Sequence, residues 1–273
     1  MSFKQLVRFE EKGQAHYGDL VEFNDTQGHK VSILSGNPWD GLIPTGRTTT
    51  VSKLLAPLEH TPIIICVGLN YRKHAAEANL QVPTYPVVFT KPSDSLAGPF
   101  DNVHAHPDAQ VQLDYEGELC VILGRDAKNV SEKEALDYVL GYTAGNDVSA
   151  RNFQLPSASG GQFCYAKSFD GFAPIGPAIW SPTLVPDPQN LYYKTTVNGK
   201  VVQETATSDM IWSVQQIIAH LSRGTTLRQG TVIMMGTPSG VGFFKGEFLQ
   251  DGDVVEVDVE GLGKISNRMV FDS

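Results

Sequence analysis

Leu113-Asp114-Tyr115-Glu116-Gly117-Glu118-Leu119-Cys120-Val121-Ile122-Leu123 is the stretch on which the reading of the whole chain turns. Leu113 to Leu123 reads as a strand. Side chains alternate along a strand, so Glu116 and Glu118 share one face with Cys120 and Ile122. Two apolar residues on that face point it toward the interior. Two neighbouring carboxylates placed there repel each other and are costly to desolvate unless a cation sits between them. The competing reading is an edge strand whose glutamates face water.

Upstream, residues 1 to about 55 read as β-rich, with Leu6–Phe9, Leu20–Phe23 and Lys30–Leu34 as short strands split by Gly13, Gly18 and Gly28. Pro57 to Pro62 serves as a linker. Ile63 to Val67 is a buried strand feeding a helix that starts near Asn70 and stops before Pro83. A strand follows at Val87–Thr90. Downstream, a helix is expected from about Ser131, then a strand through Tyr142 and Thr143, then a short helix from Asp147 to Gln154. Tyr192–Glu204 reads as a hairpin about Asn198-Gly199, which suits a type I′ turn. Ser213 and Gln216 form a capping-box pattern for a helix to Arg223, ended by Gly224. Three strands close the chain: Thr231–Met235, Asp253–Val259 and Ile265–Phe271. The sum is an α+β, β-dominated architecture.

The 273 residues suffice for one large core and a small accessory domain. With 21 basic and 30 acidic residues the net charge is −9, which argues against nucleic acid or an anionic membrane as partner. No apolar run approaches a membrane span. The N-terminal residues carry Glu10 and Glu11 and lack a signal-peptide stretch, so a cytoplasmic protein is expected, with a mitochondrial location left open. Only Cys66, Cys120 and Cys164 occur, without a Cys-x-x-Cys, so neither a zinc nor a disulfide framework is expected.

Other residues offer chemistry to a carboxylate pair. Asp147 follows a strand and opens a segment in which, if helical, Arg151 and Gln154 share its face. The plainer reading of Asp147 is a residue favoured by the helix dipole. His74 and Glu77 stand three apart on a helix, and a carboxylate beside imidazole raises its basicity, as a water-activating base requires. A solvated helix face is the alternative, since Arg72 and Lys73 are adjacent. Lys167 offers a fixed positive charge near a carboxylate-rich site, or is a surface lysine. Gly236-Thr237-Pro238-Ser239-Gly240-Val241-Gly242 lacks the features of a phosphate-binding loop. It is either a tight turn or a loop that points backbone N–H groups and the Thr237 hydroxyl at a carboxylate. His104 and His106 are read as surface residues.

Taken together, these segments resemble the fumarylacetoacetate hydrolase family. The matching stretches are Val67-Gly68-Leu69-Asn70-Tyr71 with His74 and Glu77, Phe89-Thr90-Lys91-Pro92, Glu116-Gly117-Glu118, Asp147 to Arg151 with Gln154, Ala166-Lys167-Ser168-Phe169, Val197-Asn198-Gly199, and the Gly236–Gly242 loop. They follow family order over roughly residues 60 to 270. The resemblance implies a mixed β-sandwich roll over 58–273, a small N-terminal β-rich domain over 1–57, and a homodimer. It implies Glu116, Glu118 and Asp147 as metal ligands, His74 and Glu77 as a catalytic dyad with Lys167, and Arg151, Gln154 and Thr237 as substrate contacts. Three carboxylates are hard oxygen ligands that suit Mg²⁺, Mn²⁺ or Ca²⁺ rather than zinc. One departure stands out: where the namesake enzyme has a further metal-binding aspartate ahead of its histidine, this chain has Asn70-Tyr71-Arg72.

The implied activity is that of a metal-dependent enzyme on small enolisable 2-oxo acids, acting through a metal-bound enolate. Tautomerisation or decarboxylation of oxaloacetate is the first expectation. Carbon–carbon hydrolysis of acylpyruvates or related β-diketo acids is the second. A non-catalytic, metal-stabilised ligand-binding β-protein is a third.

Overall fold

The strand Gly117–Leu123 is buried along its whole length, and everything else is arranged around it. The computed structural model describes residues 2–24 and 26–273; Met1 and Asp25, both inside the N-terminal domain expected over 1–57, lie outside the described residues. Strand makes up 42% of the chain and helix 15%, so the molecule is β-dominated.

Gly117–Leu123 pairs antiparallel with Val139–Asn146 on one side and Val232–Met234 on the other. Leu119, Val121 and Leu123 belong to one apolar cluster, while Cys120 and Ile122 belong to a second. A strand with both faces covered reads as an unbroken apolar run, which is what Leu119 to Leu123 is. The large sheet continues outward through Ile64–Val67, parallel to Val232–Met234, and ends at Val88–Lys91. In the other direction it runs through Ala173–Trp180 to the N-terminal strands Gln5–Glu11, Gln14–Glu22, His29–Asn37 and Gly41–Val51. The N-terminal meander is joined to the rest of that sheet through Gln5 opposite Trp180 and Leu6 opposite Ile179.

A five-stranded sheet is built from Lys200–Ala206, Tyr192–Val197, Val254–Val259, Gly263–Phe271 and Val103–Ala105. Tyr193, Val257, Val259 and Ile265 share the first apolar cluster with Leu119, Val121 and Trp180, so the two sheets enclose a common core. The helix Val214–Leu221 adds Ile217 and Ile218 to the same cluster and carries the full capping box of Ser213 and Gln216. The hairpin turns on Asn198 and Gly199, both with positive φ (50° and 80°), as the Asn-Gly pair requires.

Several expected elements differ. Asp147–Gln154 is not a helix: Ser149–Ala150 bridges to Leu113–Asp114, and only a single 3₁₀ turn follows over Arg151–Phe153. The shared-face geometry proposed for Asp147, Arg151 and Gln154 therefore does not apply. The helix after Asn70 is short, Arg72–Glu77, and left-handed Asn79 (φ 52°) lies just past its end. The helix expected from Ser131 is a 3₁₀ turn over Ala135–Tyr138, because Val139 is taken into a central strand. Glu116 precedes its strand rather than lying within it. Two long strands, Gly41–Val51 and Ala173–Trp180, have no counterpart in the sequence reading. Among the described residues no helix is long and apolar enough to cross a membrane.

Candidate metal centre and active site

Antiparallel pairing brings the carboxylates together. Gly117 faces Asn146 in register, so the residues just beyond that pair, Glu116 and Asp147, become neighbours. The Asp147 N–H donates to the Glu116 carbonyl (2.8 Å), and the Glu116 N–H donates to Asn146 Oδ1 (2.9 Å). Only glycine allows this close passage, since a Cβ on Gly117 would collide with Thr195 Oγ1 of the five-stranded sheet. Glu118, on the strand face of Cys120 and Ile122, completes the group. Oxygen atoms of Glu116, Glu118 and Asp147 lie within 4.8 Å of one another, and all three residues are buried.

Two lysines and an arginine surround them. Lys167 Nζ donates to Glu116 Oε2 and Asp147 Oδ2, both at 2.8 Å. Lys91 Nζ pairs with Asp147 Oδ1 at 2.6 Å and donates to the carbonyls of Phe172 (2.6 Å) and Val148 (3.2 Å). Arg151 reaches Glu116 Oε1 through Nη2 at 2.6 Å. Burial opposes ionisation of Glu116, but the Lys167 and Arg151 charges outweigh it and hold its carboxyl down at about 2. Glu118 is treated differently. Burial, with Asp147 and Glu116 adding their charge, pushes its carboxyl well above the usual range.

Among the described residues Glu118 has no basic side chain within ion-pair distance, and its one hydrogen-bond donor is the Gly236 N–H at 2.7 Å. A buried carboxylate with one donor, facing two others, is short of positive charge. An oxygen-ligated divalent cation supplies that charge, so these residues fit the metal. The Gly236 N–H is aimed there by a left-handed backbone (φ 92°) at a spot where a Cβ would lie 2.8 Å from Asn70 Cβ. Asn70 itself bonds to Met235 O (2.8 Å), Trp212 O (3.2 Å) and Trp212 N (2.8 Å), tying the dyad helix to this loop.

Arg151 is held on every side. Its Nε donates to Asp114 Oδ2 (2.8 Å) and its Nη1 to Gln154 Oε1 (2.8 Å). Asp114 is fixed in turn by the N–H groups of Tyr115, Gly242 and Phe243. A guanidinium has five N–H donors, so two remain free of these contacts. His74 Nδ1 lies 3.1 Å from Glu77 Oε2, and both Glu77 oxygens accept from the Gly240 N–H (3.0 and 3.1 Å). A carboxylate at Nδ1 leaves Nε2 as the working nitrogen.

His74, Glu116, Arg151, Gln154 and Lys167 line one cavity of about 520 Å³. Thr237 does not line it. Its hydroxyl donates to the Gly117 carbonyl (3.0 Å) and accepts from Gln203 Nε2 (2.8 Å). The sequence reading gave no role to Asp114, Lys91, Asn70 or Gln203. Asp114 and Lys91 sit inside stretches that it quoted, and an isolated charge in an apolar strand is the signal that marks them. His104 and His106 are exposed, as expected.

The fold and the site define a β-rich domain built round three buried carboxylates, and comparison with known proteins gives that class its family. Residues 63–270 match the fumarylacetoacetate (FAA) hydrolase C-terminal model, and residues 5–57 match the Rv2993c-like N-terminal model. The chain belongs to the fumarylacetoacetate hydrolase family. It is 45% identical over 228 residues to a fumarylacetoacetate hydrolase domain-containing protein 2 homolog of Dictyostelium discoideum, covering 80% of this chain and 74% of that one. A mitochondrial oxaloacetate tautomerase of Xenopus laevis is 41% identical over 219 residues (80% of this chain, 68% of that one). The crystal structure of a 2-hydroxyhepta-2,4-diene-1,7-dioate isomerase from Mycobacterium marinum superposes with a TM-score of 0.85 at 34% identity, covering 99% of both chains.

Proposed function

We propose that this chain is a divalent-metal-dependent enzyme of small enolisable 2-oxo acids, with tautomerisation or decarboxylation of oxaloacetate as its first reaction. The observation that carries the proposal is the buried cluster of Glu116, Glu118 and Asp147, with Glu118 short of positive charge, whose member Glu116 lines one cavity with Arg151 and His74. The relative named as an oxaloacetate tautomerase supports the choice of substrate. Mg²⁺ or Mn²⁺ is the proposed cation, with Ca²⁺ admitted by the same oxygen donors.

When bound, the cation supplies a Lewis acid for the negative charge that develops on a 2-oxo oxygen. The remaining work falls to the chain. Arg151 presents its two free N–H donors to the substrate carboxylate, in an orientation set by Asp114 and Gln154. Gln154 also lines the cavity and turns its amide toward the same carboxylate. His74 Nε2, with Nδ1 held by Glu77, carries a proton between C3 and the 2-oxo oxygen. Lys167 pairs with both Glu116 and Asp147 and holds them in place.

A second reading, hydrolysis of acylpyruvates, rests on the same dyad. An imidazole backed by a carboxylate and facing a cavity also suits activation of water. Assay of oxaloacetate and acetylpyruvate side by side, with added Mg²⁺ and with EDTA, tests both. Absence of turnover with either substrate in Mg²⁺ leaves the third reading, a ligand-binding β-protein without catalysis. We further propose a homodimer, implied by family resemblance, which sedimentation of the purified chain tests.

A further inference from the structure

We infer that, among 2-oxo acids longer than oxaloacetate, the cavity lined by Glu116, Arg151 and Lys167 favours those whose far end is uncharged and apolar, and discriminates against those that end in a carboxylate. The inference rests on the 2-oxo acid reading of the site and names the substrate class within it. All the charged side chains that line the cavity, Glu116, Arg151 and Lys167, belong to the floor described above, and His74 stands beside them. The rest of the wall is apolar, and its polar members are the amides Gln81 and Gln154. Aromatic rings begin directly at the floor: Lys167 Nζ lies 4.8 Å from the Phe89 ring centre, Arg151 lies 5.8 Å from that of Phe243, and His74 meets Phe244 edge-on at 5.8 Å.

Size points the same way. About 520 Å³ falls within the range of roughly 300–1,000 Å³ typical of pockets for drug-sized ligands, more than a four-carbon acid needs. In the proposed function oxaloacetate is held by Arg151, Gln154 and His74, at the polar end of the cavity. Beyond it, Leu80, Leu155, Phe243 and Phe244 are all large apolar side chains left substantially exposed on this one rim. Apolar groups gathered at a cavity mouth mark a surface that a ligand covers. A terminal carboxylate there would be set against apolar side chains, while the cations that line the cavity, Arg151 and Lys167, stand at its other end. The dioate named for the structural relative from Mycobacterium marinum carries such a carboxylate, so the inference separates this chain from that substrate.

The test is a homologous series of acylpyruvates, from acetyl to hexanoyl, with succinylpyruvate as the charged-end member, offered to the full chain with Mg²⁺. Binding is read by calorimetry and turnover in parallel, with oxaloacetate as the reference. Affinity is expected to rise about fourfold per added methylene until the cavity is filled. Succinylpyruvate is expected to bind at least about tenfold more weakly than its uncharged counterpart of equal length. Leu155→Arg, at a rim position that is already part exposed, should reverse that preference. A flat series, or equal binding of charged and uncharged members, overturns the inference; oxaloacetate turnover in the same preparation then leaves the proposed function standing. Chain-length-dependent binding without turnover of any 2-oxo acid upholds the apolar site and removes the proposed function. Failure of the whole series to bind overturns the inference, and failure of oxaloacetate to turn over as well overturns the proposed function.

Discussion

Arg151 and His74 are the two residues on which the proposed chemistry divides. Arg151 spends its contacts on Asp114, Gln154 and Glu116, which fixes its plane and leaves a two-pronged donor for a carboxylate. Lysine has no planar fork, so Arg151→Lys is expected to raise KM for oxaloacetate by about tenfold or more while lowering Mg²⁺ affinity less. Unchanged steady-state kinetics would remove Arg151 from the substrate site. His74→Ala tests the dyad. Hydrolysis requires an activated water and should fall by about 10²–10⁴-fold. Decarboxylation should partly survive, because the departing carboxylate supplies the electrons and no water attacks. Comparison of acetylpyruvate hydrolysis with oxaloacetate decarboxylation at saturating Mg²⁺ decides; an equal fall in both reactions at unchanged metal affinity shows that decarboxylation needs His74 as much as hydrolysis does.

Elements deliver these residues, and one side chain couples the two sheets at the point of delivery. Gln203, buried in the strand Lys200–Ala206, accepts from the Gly117 N–H (3.0 Å) and donates to Thr237 Oγ1 (2.8 Å) and the Pro238 carbonyl (3.0 Å). Gly117 stands between Glu116 and Glu118, so Gln203→Leu strips a partner from the backbone that spaces the two ligands. The expected cost is about 1–3 kcal/mol in urea unfolding, together with weaker Mg²⁺ binding. Unchanged stability and unchanged metal affinity would refute this coupling. Glu118 and the helix of Ser213 are legible in sequence because alternation and capping are local signals, whereas Glu116 falls just ahead of the strand to which alternation assigned it. Ala173–Trp180 is hidden by Pro174, Gly176 and Pro177, which punctuate a strand that tertiary pairing nevertheless completes. The Asp147–Gln154 segment shows the opposite failure: helical spacing places three polar residues on one face, but a bridge to Leu113–Asp114 captures the backbone first. Lys91 and Asp114 act through buried pairing across distant segments, so the sequence shows their charge in an apolar stretch but not their partners.

At the scale of the whole molecule, the charge of the site would tie the proposed cation binding to folding. Four carboxylates, Asp114 included, face Lys91, Lys167 and Arg151, and the unbalanced member is Glu118. A cation that binds the folded chain alone should stabilise it by about 2.7 kcal/mol at a hundredfold excess over Kd, seen as a rise in Tm on adding Mg²⁺. Glu118→Gln should abolish that rise and leave the metal-free protein at least as stable as wild type, since it removes one of three mutually repelling carboxylates. The most direct measurement is a titration of EDTA-stripped wild type and Glu118→Gln with Mg²⁺, followed by calorimetry and by oxaloacetate keto–enol conversion in the same samples. The account predicts one cation bound per wild-type chain and none in the variant, with accelerated conversion appearing only as the cation binds. Equal binding in both proteins, or accelerated conversion by wild type in EDTA, contradicts it.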